Sequence, residues 1–412
     1  MTAIDTIEDC DAAGLPAHHI EAFLEHLREA GYSDVTRRKK RTILTALARW
    51  MMLASIPLVQ FDESVITAFV KRSTGAPASR AKFERAVLRL LLAYLRGNAK
   101  ICLPAQVKES PIDGIGACYV DYLRQDLGLA ENTVHVYAPF IREFLRGQEA
   151  GDGGGILPAM FDATTIRSYL LARSKGRSGE YMRLMAVAFR SFCHFLFLRG
   201  YTPRDLAISV PRVSKWRQSS VPKFLTPEQE EIVLASTDRS TPRGRRDYAI
   251  LLLLARLGLR AGEIVALELD DIHWRSAELV VHGKGQMVEH VPLLDDVGGA
   301  LASYLHDDRV ASESRKVFLR MLAPRVGLTG PASIGHIVRL AFARAGFRPA
   351  CRGAAHLFRH SLATTMIRHG ASMAEIAEVL RHRSQGTTAI YAKVSFEALR
   401  GVARAWPATG GA

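Results

Sequence analysis

The sequence predicts a mainly α-helical protein with a small antiparallel β-sheet in its C-terminal part, an α+β fold. Two observations on this chain of 412 residues lead to that prediction. The first half repeats a pattern of amphipathic helices at an offset near 100 residues, which indicates two tandem helical bundles. In the second half, Leu279–His282 and Val288–Pro292 have the residue types of two short strands, and a turn containing glycine joins them.

The repeat in the first half consists of matching segments that recur in the same order. We predict about four helices in each copy; chance similarity between amphipathic helices is the alternative. The matching pairs are Ile20–Gly31 with Ala117–Gly128, Phe61–Phe69 with Phe161–Tyr169, and Ala93–Gly97 with Phe195–Gly200, the last with one inserted residue.

These patterns divide the chain into four segments. We expect an N-terminal helical bundle in residues 1–105, a second bundle in 106–210, a basic linker in 211–223 and a C-terminal domain in 224–412. The linker contains four cations, no acidic residue and a proline near each end, so it should be extended and polar.

The C-terminal segment carries several helix signals. Thr226 followed by Pro227 is a typical start, with a capping side chain and proline at the first helical position. A helical pattern runs from Ala354 to His369, and Ser372 with Glu375 forms a capping box for the next helix, which should end near His382.

The end of the chain is predicted to form two further short helices. Ser384–Gly386 interrupts the helical pattern before a short helix that carries Tyr391. Ser395–Trp406 then reads as an amphipathic tail helix. This tail could pack on its own domain or on a neighbouring protomer.

Composition favours a polyanionic partner and excludes a membrane protein. The net charge is +14 and the pI is near 9.8, a balance that suits nucleic acid. The five cysteines are scattered and odd in number, as in reduced intracellular proteins. The longest apolar run, Ala249–Ala255, is too short to cross a bilayer. We therefore expect a soluble cytoplasmic protein, associated with the nucleoid.

Six side chains in the C-terminal segment provide the groups needed to cleave a phosphodiester without a metal or cofactor. Guanidinium groups donate paired hydrogen bonds to phosphate oxygens and remain charged, which suits the charge that builds up during attack. A tyrosine is a weak nucleophile, with a reference pKa of about 10, and needs a neighbouring base or cation. The six candidates are Arg260, Lys284, His356, Arg359, His382 and Tyr391.

Their spacing suggests a role for each. Tyr391 would be the nucleophile, and Arg260 and Arg359 would each hold a phosphate oxygen. His356 lies three residues before Arg359, so both share one helix face, and it is the candidate base for the tyrosine. Lys284, at the predicted hairpin tip, would protonate the departing 5′-hydroxyl. His382 could hydrogen-bond the same phosphate.

A metal site is not expected at the histidine pair of this segment. His356 and His360 stand four residues apart, but no glutamate follows the first histidine as in the zincin pattern, and paired cysteines are lacking. We therefore predict no metal ligand and no cofactor.

In order and spacing, these residues resemble the tyrosine recombinases, the phage integrase family. The resemblance covers about the last 300 residues. It implies a site-specific recombinase that forms a 3′-phosphotyrosyl link, acting as a homo- or hetero-tetramer on double-stranded DNA in the integration, excision or transposition of a mobile element. It also implies that residues from about 110 to 205 form a core-binding domain. Alternatives are a type IB topoisomerase and a catalytically silent architectural protein.

One departure from the family pattern concerns the residue before the second histidine. The family usually has Leu-Gly-His, whereas this chain has Arg381 before His382. We expect Arg381 to be exposed, with a contact to the DNA backbone as the alternative.

Basic residues in two places are candidate phosphate contacts. Five consecutive cations lie in the first bundle within Thr36–Thr42, where a solvated basic face is the alternative interpretation, and four lie in the linker. The candidates are Arg37, Arg38, Lys39, Lys40, Arg41, Arg212, Lys215, Arg217 and Lys223.

Overall fold

The chain is mainly helical, and its described residues include one three-stranded antiparallel sheet, which confirms the predicted fold class. The structure is a computed structural model. It describes residues 14–72, 77–98, 111–149, 162–213, 223–283, 287–347, 353–382, 385–388 and 390–391.

The first bundle contains four α-helices within the described residues. They are α1 (Ala17–Glu29), α2 (Asp34–Leu53), α3 (Glu63–Lys71) and α4 (Ala78–Gly97). The side chains of Ser33 and Asp62 cap α2 and α3 by accepting backbone N–H groups. The apolar faces of the helices meet in one core that includes Phe23, Leu47 and Leu91.

The second bundle repeats this arrangement, with four α-helices in the part that the structure describes. They are α5 (Pro111–Asp121), α6 (Glu131–Glu149), α7 (Ala163–Ser174) and α8 (Gly179–Leu198). The last three begin 97, 100 and 101 residues after α2, α3 and α4 (131−34, 163−63 and 179−78), which agrees with the repeat. Its core is separate and rich in aromatic side chains.

Helix α8 is long and apolar enough to span a membrane by length and composition alone. Its side chains at Phe189, Phe192 and Phe195 are buried in the core of the second bundle. Because this face is already occupied by α5 and α6 side chains, α8 serves as the core helix of the bundle.

The C-terminal segment is built around helix α10 (Pro242–Arg256), and the apolar residues of this helix are almost completely buried. Two helix starts predicted in this segment are confirmed, because Thr226 and Gln229 form one capping box and Ser372 and Glu375 form another. The helices are α9 (Pro227–Ala235), α10 (Pro242–Arg256), α11 (Ala261–Ala266), α12 (Asp295–Asp307), α13 (Pro331–Arg344), α14 (Ala354–Arg368), α15 (Met373–Val379) and α16 (Gln385–Thr388).

The sheet has strand order β1 (Ile272–His273), β2 (Glu278–His282) and β3 (Val288–Pro292), with antiparallel neighbours. Both predicted strands are confirmed. Leu279 and Val281 pack into the core, so the alternate residues of β2 point to the opposite face. His282 pairs with Val288. Lys284, predicted at the tip of this hairpin, lies outside the described residues.

Contacts divide the chain into two units, one of residues 1–101 with 220–412 and the other of residues 102–219. The four segments proposed from the sequence, with their boundaries, stay a prediction. Most of the predicted linker, including Lys215 and Arg217, and the predicted tail helix Ser395–Trp406 lie outside the described residues. Arg212 and Lys223, near the two ends of the linker, are exposed.

Candidate active site

Helix α14 positions three of the polar side chains. It begins at Ala354, and the core residues Leu357 and Phe358 anchor its first turns. His356, Arg359 and His360 project from these turns. The predicted helix bounds, Ala354 to His369, agree with the structure to within one residue.

Arg359 is buried against two backbone carbonyls and is only 4% exposed. Its Nη1 donates to the carbonyl of Gly258 at 2.6 Å, and its Nη2 donates to the carbonyl of Leu380. Burial, and then the positive charges of Arg260 and Arg381, lower the pKa of Arg359 to about 10. The guanidinium therefore remains charged at neutral pH.

Gly258 allows this close approach of the loop before α11 to α14. It has a φ of +57°, and a Cβ there would lie 3.0 Å from side-chain atoms of both Leu362 and Leu380. A larger residue would strain the backbone and push these leucines away. The glycine thus brings the Arg260 loop onto the Arg359 helix.

Arg260 stands at the start of α11 and is held by two partners. Its backbone N–H donates to Glu263 Oε2 at 2.8 Å and its Nη1 donates to Glu263 Oε1 at 2.5 Å. Its Nη2 donates to the carbonyl of Arg381 at 3.1 Å. The side chain remains 37% exposed, so it can still offer N–H groups to a phosphate.

Arg381 is buried, and the expectation that it is exposed is wrong. Its Nη2 lies 3.2 Å from Glu263 Oε2, and its Nε lies 3.4 Å from Glu289 Oε2 on β3. Its backbone has a φ of +54°, in the left-handed region that favours glycine. The family's usual glycine suits this backbone, whereas here the ion pairs hold an arginine in it.

Glu263 is the carboxylate that both arginines share. Burial alone would raise its pKa, but the hydrogen bonds from Arg260 and the charge of Arg381 outweigh burial and lower it. Glu263 and Arg381 were not predicted as parts of the site. The departure from Leu-Gly-His was the signal that pointed to Arg381.

Tyr391 is almost completely buried, with 1% exposure, in a small core with Ala363, Ile376 and Leu380. Its hydroxyl lies 2.8 Å from Nδ1 of His360. Burial raises the pKa of Tyr391 to about 12, against the opposing effect of Arg359 and Arg260. The phenol is therefore protonated at neutral pH and donates to His360 when that ring presents an unprotonated Nδ1.

His360, which sequence analysis considered only as a metal ligand, is thus the base closest to the predicted nucleophile among the described residues. Burial, then the charges of His356 and Arg359, lower the pKa of His360 to about 4. A neutral ring at pH 7 can accept the tyrosine proton. His356, the predicted base, has no hydrogen bond to Tyr391 among those in the described residues.

The remaining two histidines lie around this pair. His382 stacks in parallel on the Tyr391 ring, with centroids 6.3 Å apart and an interplanar angle of 5°, and its Nδ1 lies 2.9 Å from Thr388 Oγ1. Burial, then Arg359 and Arg260, lower the pKa of His382 to about 4. The His356 side chain lies at the surface, but neighbouring groups exclude part of its water. This desolvation, and then the charges of Arg359 and Arg260, lower the pKa of His356.

Four of the six predicted catalytic residues, Arg260, Arg359, His382 and Tyr391, take part in these contacts, and the His356 ring lies 6.5 Å from that of His360. Arg260 and Arg359 meet through Gly258 and Arg381, and Tyr391 contacts the His360 and His382 rings. Lys284 lies outside the described residues. The catalytic roles themselves stay predictions.

The basic residues of the first bundle do not all face solvent. Lys40 is only 6% exposed, and its ammonium lies 5.0 Å from the centroid of the Tyr32 ring. Burial lowers the pKa of Lys40, and a buried ammonium is poorly placed to contact a phosphate. Arg38 and Lys39 are exposed, and Arg37 and Arg41 form ion pairs with acidic neighbours.

Metal-ligand types cluster at one place in the described residues. Donor atoms of His273, Glu278 and His290 lie within 4.8 Å of one another on the exposed face of the sheet. The Tyr391 hydroxyl contacts Nδ1 of His360, and the carboxylate of Glu263 pairs with both Arg260 and Arg381.

The residues of this site lie in a part of the chain that is similar to known proteins. The phage integrase family matches residues 223–398. The putative integrase/recombinase y4rA of Sinorhizobium fredii (strain NBRC 101917 / NGR234) is 38% identical over 396 residues, which cover 96% of this chain and 95% of the relative. The chain belongs to the phage integrase family.

Tyrosine recombinases of solved structure share the fold. A crystal structure of the XerH site-specific recombinase bound to palindromic difH substrate superposes with a TM-score of 0.55 and 17% identity, covering 76% of this chain and 92% of that chain. The Tn1549 transposon integrase (residues 82–397), in complex with circular intermediate DNA, gives a TM-score of 0.50 and 16% identity, covering 70% and 99%. Site-specific recombination is the general activity of this family, and the residues of the site described above lie within residues 223–398, the part that matches the family.

Proposed function

We propose that this tyrosine recombinase cuts and rejoins double-stranded DNA at specific sites through a covalent 3′-phosphotyrosyl intermediate on Tyr391. The observation that supports this most directly is the hydrogen bond from the Tyr391 hydroxyl to neutral His360, beside two arginines. A nucleophile, a base and cations are the parts that phosphoryl transfer requires.

The reaction forms a bond between the Tyr391 oxygen and the scissile phosphorus and breaks the bond to the 5′ oxygen. His360 accepts the phenol proton, directly or after a shift of the ring. Arg260 and Arg359 stabilise the charge that builds up on the non-bridging oxygens. Lys284 supplies the proton to the departing 5′-hydroxyl. That hydroxyl, or one from another strand, reverses the step, so no external energy source is consumed.

Burial of Tyr391 means that cleavage requires a change in the segment that carries it. At 1% exposure, the hydroxyl is not accessible to a phosphate of a duplex. Tyr391 follows the four-residue helix α16, and a helix this short contributes little stability of its own. We propose that DNA binding displaces this segment and brings the phenol to the phosphate.

The substrate that we propose is DNA at the ends of a mobile element. The relative y4rA, named a putative integrase/recombinase, matches this chain over almost its full length, first bundle included. Arg41, Arg49, Arg72 and Trp50 line an open cleft on the first bundle, which suits a duplex backbone. Four protomers, alike or from related recombinases, would act on two duplexes in the cytoplasm.

The test uses a supercoiled plasmid that carries the DNA flanking the gene for this chain on both sides. The full chain should leave a protein–DNA adduct on a denaturing gel. Tyr391→Phe should form no adduct and retain its DNA affinity. Tyr304→Phe is the matched control, because Tyr304 is also buried and bonded but belongs to the core away from the site.

Other outcomes separate the rival activities. Efficient relaxation of a plasmid without these flanking sequences would favour a type IB topoisomerase. DNA binding without any adduct in the wild-type chain would favour an architectural protein. An adduct that persists in Tyr391→Phe would show that another residue is the nucleophile.

A further inference from the structure

The exposed face of the three-stranded sheet brings together side chains from all three strands. His273 on β1 pairs with Glu278 on β2, so both side chains lie on the same face. His290 on β3 pairs with Val280, two residues beyond Glu278, and therefore lies on that face as a diagonal neighbour. The opposite face of β2 packs into the core.

The donor atoms of these three residues are close enough to share one ion. They lie within 4.8 Å of one another, and His290 Nδ1 is 3.5 Å from Glu278 Oε2. In a tetrahedral site with bonds of about 2.0–2.2 Å, neighbouring ligand atoms are roughly 3.4 Å apart. One pair already has this separation, and the exposed histidine rings can rotate to bring the third donor in.

The surroundings of the cluster favour a defined site over a chance grouping. Ser276, in the turn between β1 and β2, donates to Glu278 Oε2 at 3.4 Å, as groups around a metal ligand commonly do. Val280 lies on the same face and is only 8% exposed, so it provides an apolar floor. Two histidines and a glutamate are the donor set of catalytic zinc sites, and hard ions such as Mg²⁺ and Ca²⁺ prefer oxygen ligands.

We infer that His273, Glu278 and His290 form a binding site for a divalent transition-metal ion of the zinc type, with one ligand from each strand. The site is separate from the tyrosine and from the proposed chemistry, which needs no metal. An ion bound here connects β1, β2 and β3, and so stiffens the hairpin of β2 and β3.

The test measures binding of Zn²⁺ to the full chain by titration calorimetry, with Co²⁺ as a spectroscopic probe of the ligand geometry. One equivalent should bind. His273→Ala, His290→Ala and Glu278→Gln should each weaken affinity by at least about tenfold, since even changes around a ligand cost 10–100-fold. Zn²⁺ should also slow hydrogen exchange of the sheet amides in the wild-type chain, and it should have no such effect in the three variants.

Two variants separate this site from other histidines. His306→Ala is the matched control, because His306 is exposed beside Asp307 at 2.7 Å and has no third donor grouped with it in the part of the chain that the structure describes. The Zn²⁺ affinity of this variant should equal that of wild type. Absence of binding at about 1 mM Zn²⁺ would overturn the inference. So would binding that survives all three cluster variants and is lost in His360→Gln, because the ion would then belong to the tyrosine site.

Discussion

Replacement of Arg381 by glycine tests whether this residue supports the arginine network. Arg381 is paired with Glu263 at 3.2 Å and with Glu289 at 3.4 Å, and its carbonyl accepts a hydrogen bond from Arg260. Glycine keeps the carbonyl and suits the φ of +54°, so the variant removes only the side chain. Among the described residues, Glu263 then keeps Arg260 as its one ion-pair partner.

The stability change follows from two opposing effects. Breaking a buried ion pair by removing one partner costs about 3–5 kcal/mol. Relief of the left-handed backbone returns about 1–2 kcal/mol. The free energy of unfolding should therefore fall by roughly 2.5 kcal/mol, which corresponds to about 5–10 °C in melting temperature for a domain of this size.

Cleavage should also slow, because Glu263 is freed from one side and holds Arg260 less well. Residues in one ion-pair network are coupled by about 0.5–3 kcal/mol. A loss of about 1–2 kcal/mol in the transition state would reduce the single-turnover cleavage rate roughly five- to thirtyfold. Affinity for DNA should stay unchanged, since the Arg381 side chain is buried.

Calorimetry of the full chain and single-turnover adduct formation at saturating protein measure the two effects. Arg315→Gly is the control, because Arg315 forms an exposed ion pair with Asp270 and should cost less than about 1 kcal/mol. In a double-mutant cycle, Glu263→Gln should absorb most of the Arg381→Gly effect on the rate. If Arg381→Gly melts with the wild type and cleaves at its rate, the reasoning about this network is refuted.

Three further predictions concern the site and the DNA contacts. Arg260→Ala should reduce the cleavage rate by about 10²–10³ with little change in melting temperature; a loss below tenfold would contradict its role. The pKa of His360 is lowered from 6.5 to about 4 in the folded state, so the unfolded state binds more protons between these pH values and the free energy of unfolding should fall as the pH drops from 6.5 towards 4. His360→Gln should reduce this pH dependence of the melting temperature. An unchanged pH dependence would argue against a buried neutral ring. Arg38→Ala with Lys39→Ala should weaken DNA binding and flatten its salt dependence by about one slope unit per contact, whereas Lys40→Met, which changes a buried cation, should leave the slope as it is; equal effects would refute the assignment.

Local signals in the sequence predicted the elements of the fold well. Thr226 with Pro227 and Ser372 with Glu375 act within one helical turn, and both caps formed as expected. The strands of the hairpin were predicted because alternation and turn residues are also local. The helical repeat followed from the spacing of apolar residues in the two bundles.

The burial of Lys40 was also within reach of the sequence. Lys40, Leu44, Leu47 and Met51 are the buried residues of α2, at intervals of four, three and four that trace one helix face. Five consecutive cations cannot all lie on one side of a helix. The positive charge of these residues favoured exposed positions, although the spacing of the neighbouring apolar residues indicates that Lys40 lies on the buried face.

The role of Arg381 could not be predicted, because its partners are distant in sequence. Glu263 lies 118 positions before it, and local patterns do not predict such a contact. The departure from the family's glycine marked the position as unusual, but arginine is mostly exposed in proteins, and exposure was therefore expected in place of burial. Only packing of the His382 loop against α11 and β3 decides between them.

The tyrosine shows most clearly what the residue pattern leaves out. Order and spacing brought Tyr391 together with His382 and Arg359, but they did not predict that the phenol would be buried with a pKa raised to about 12. In this state the phenol is a poor nucleophile and is shielded from water. Because Arg359 and Arg260 already oppose this rise in pKa, any movement that exposes the ring near them would lower it. Exposure and activation of Tyr391 would therefore occur in the same step, so the enzyme would be reactive only where DNA has displaced the segment.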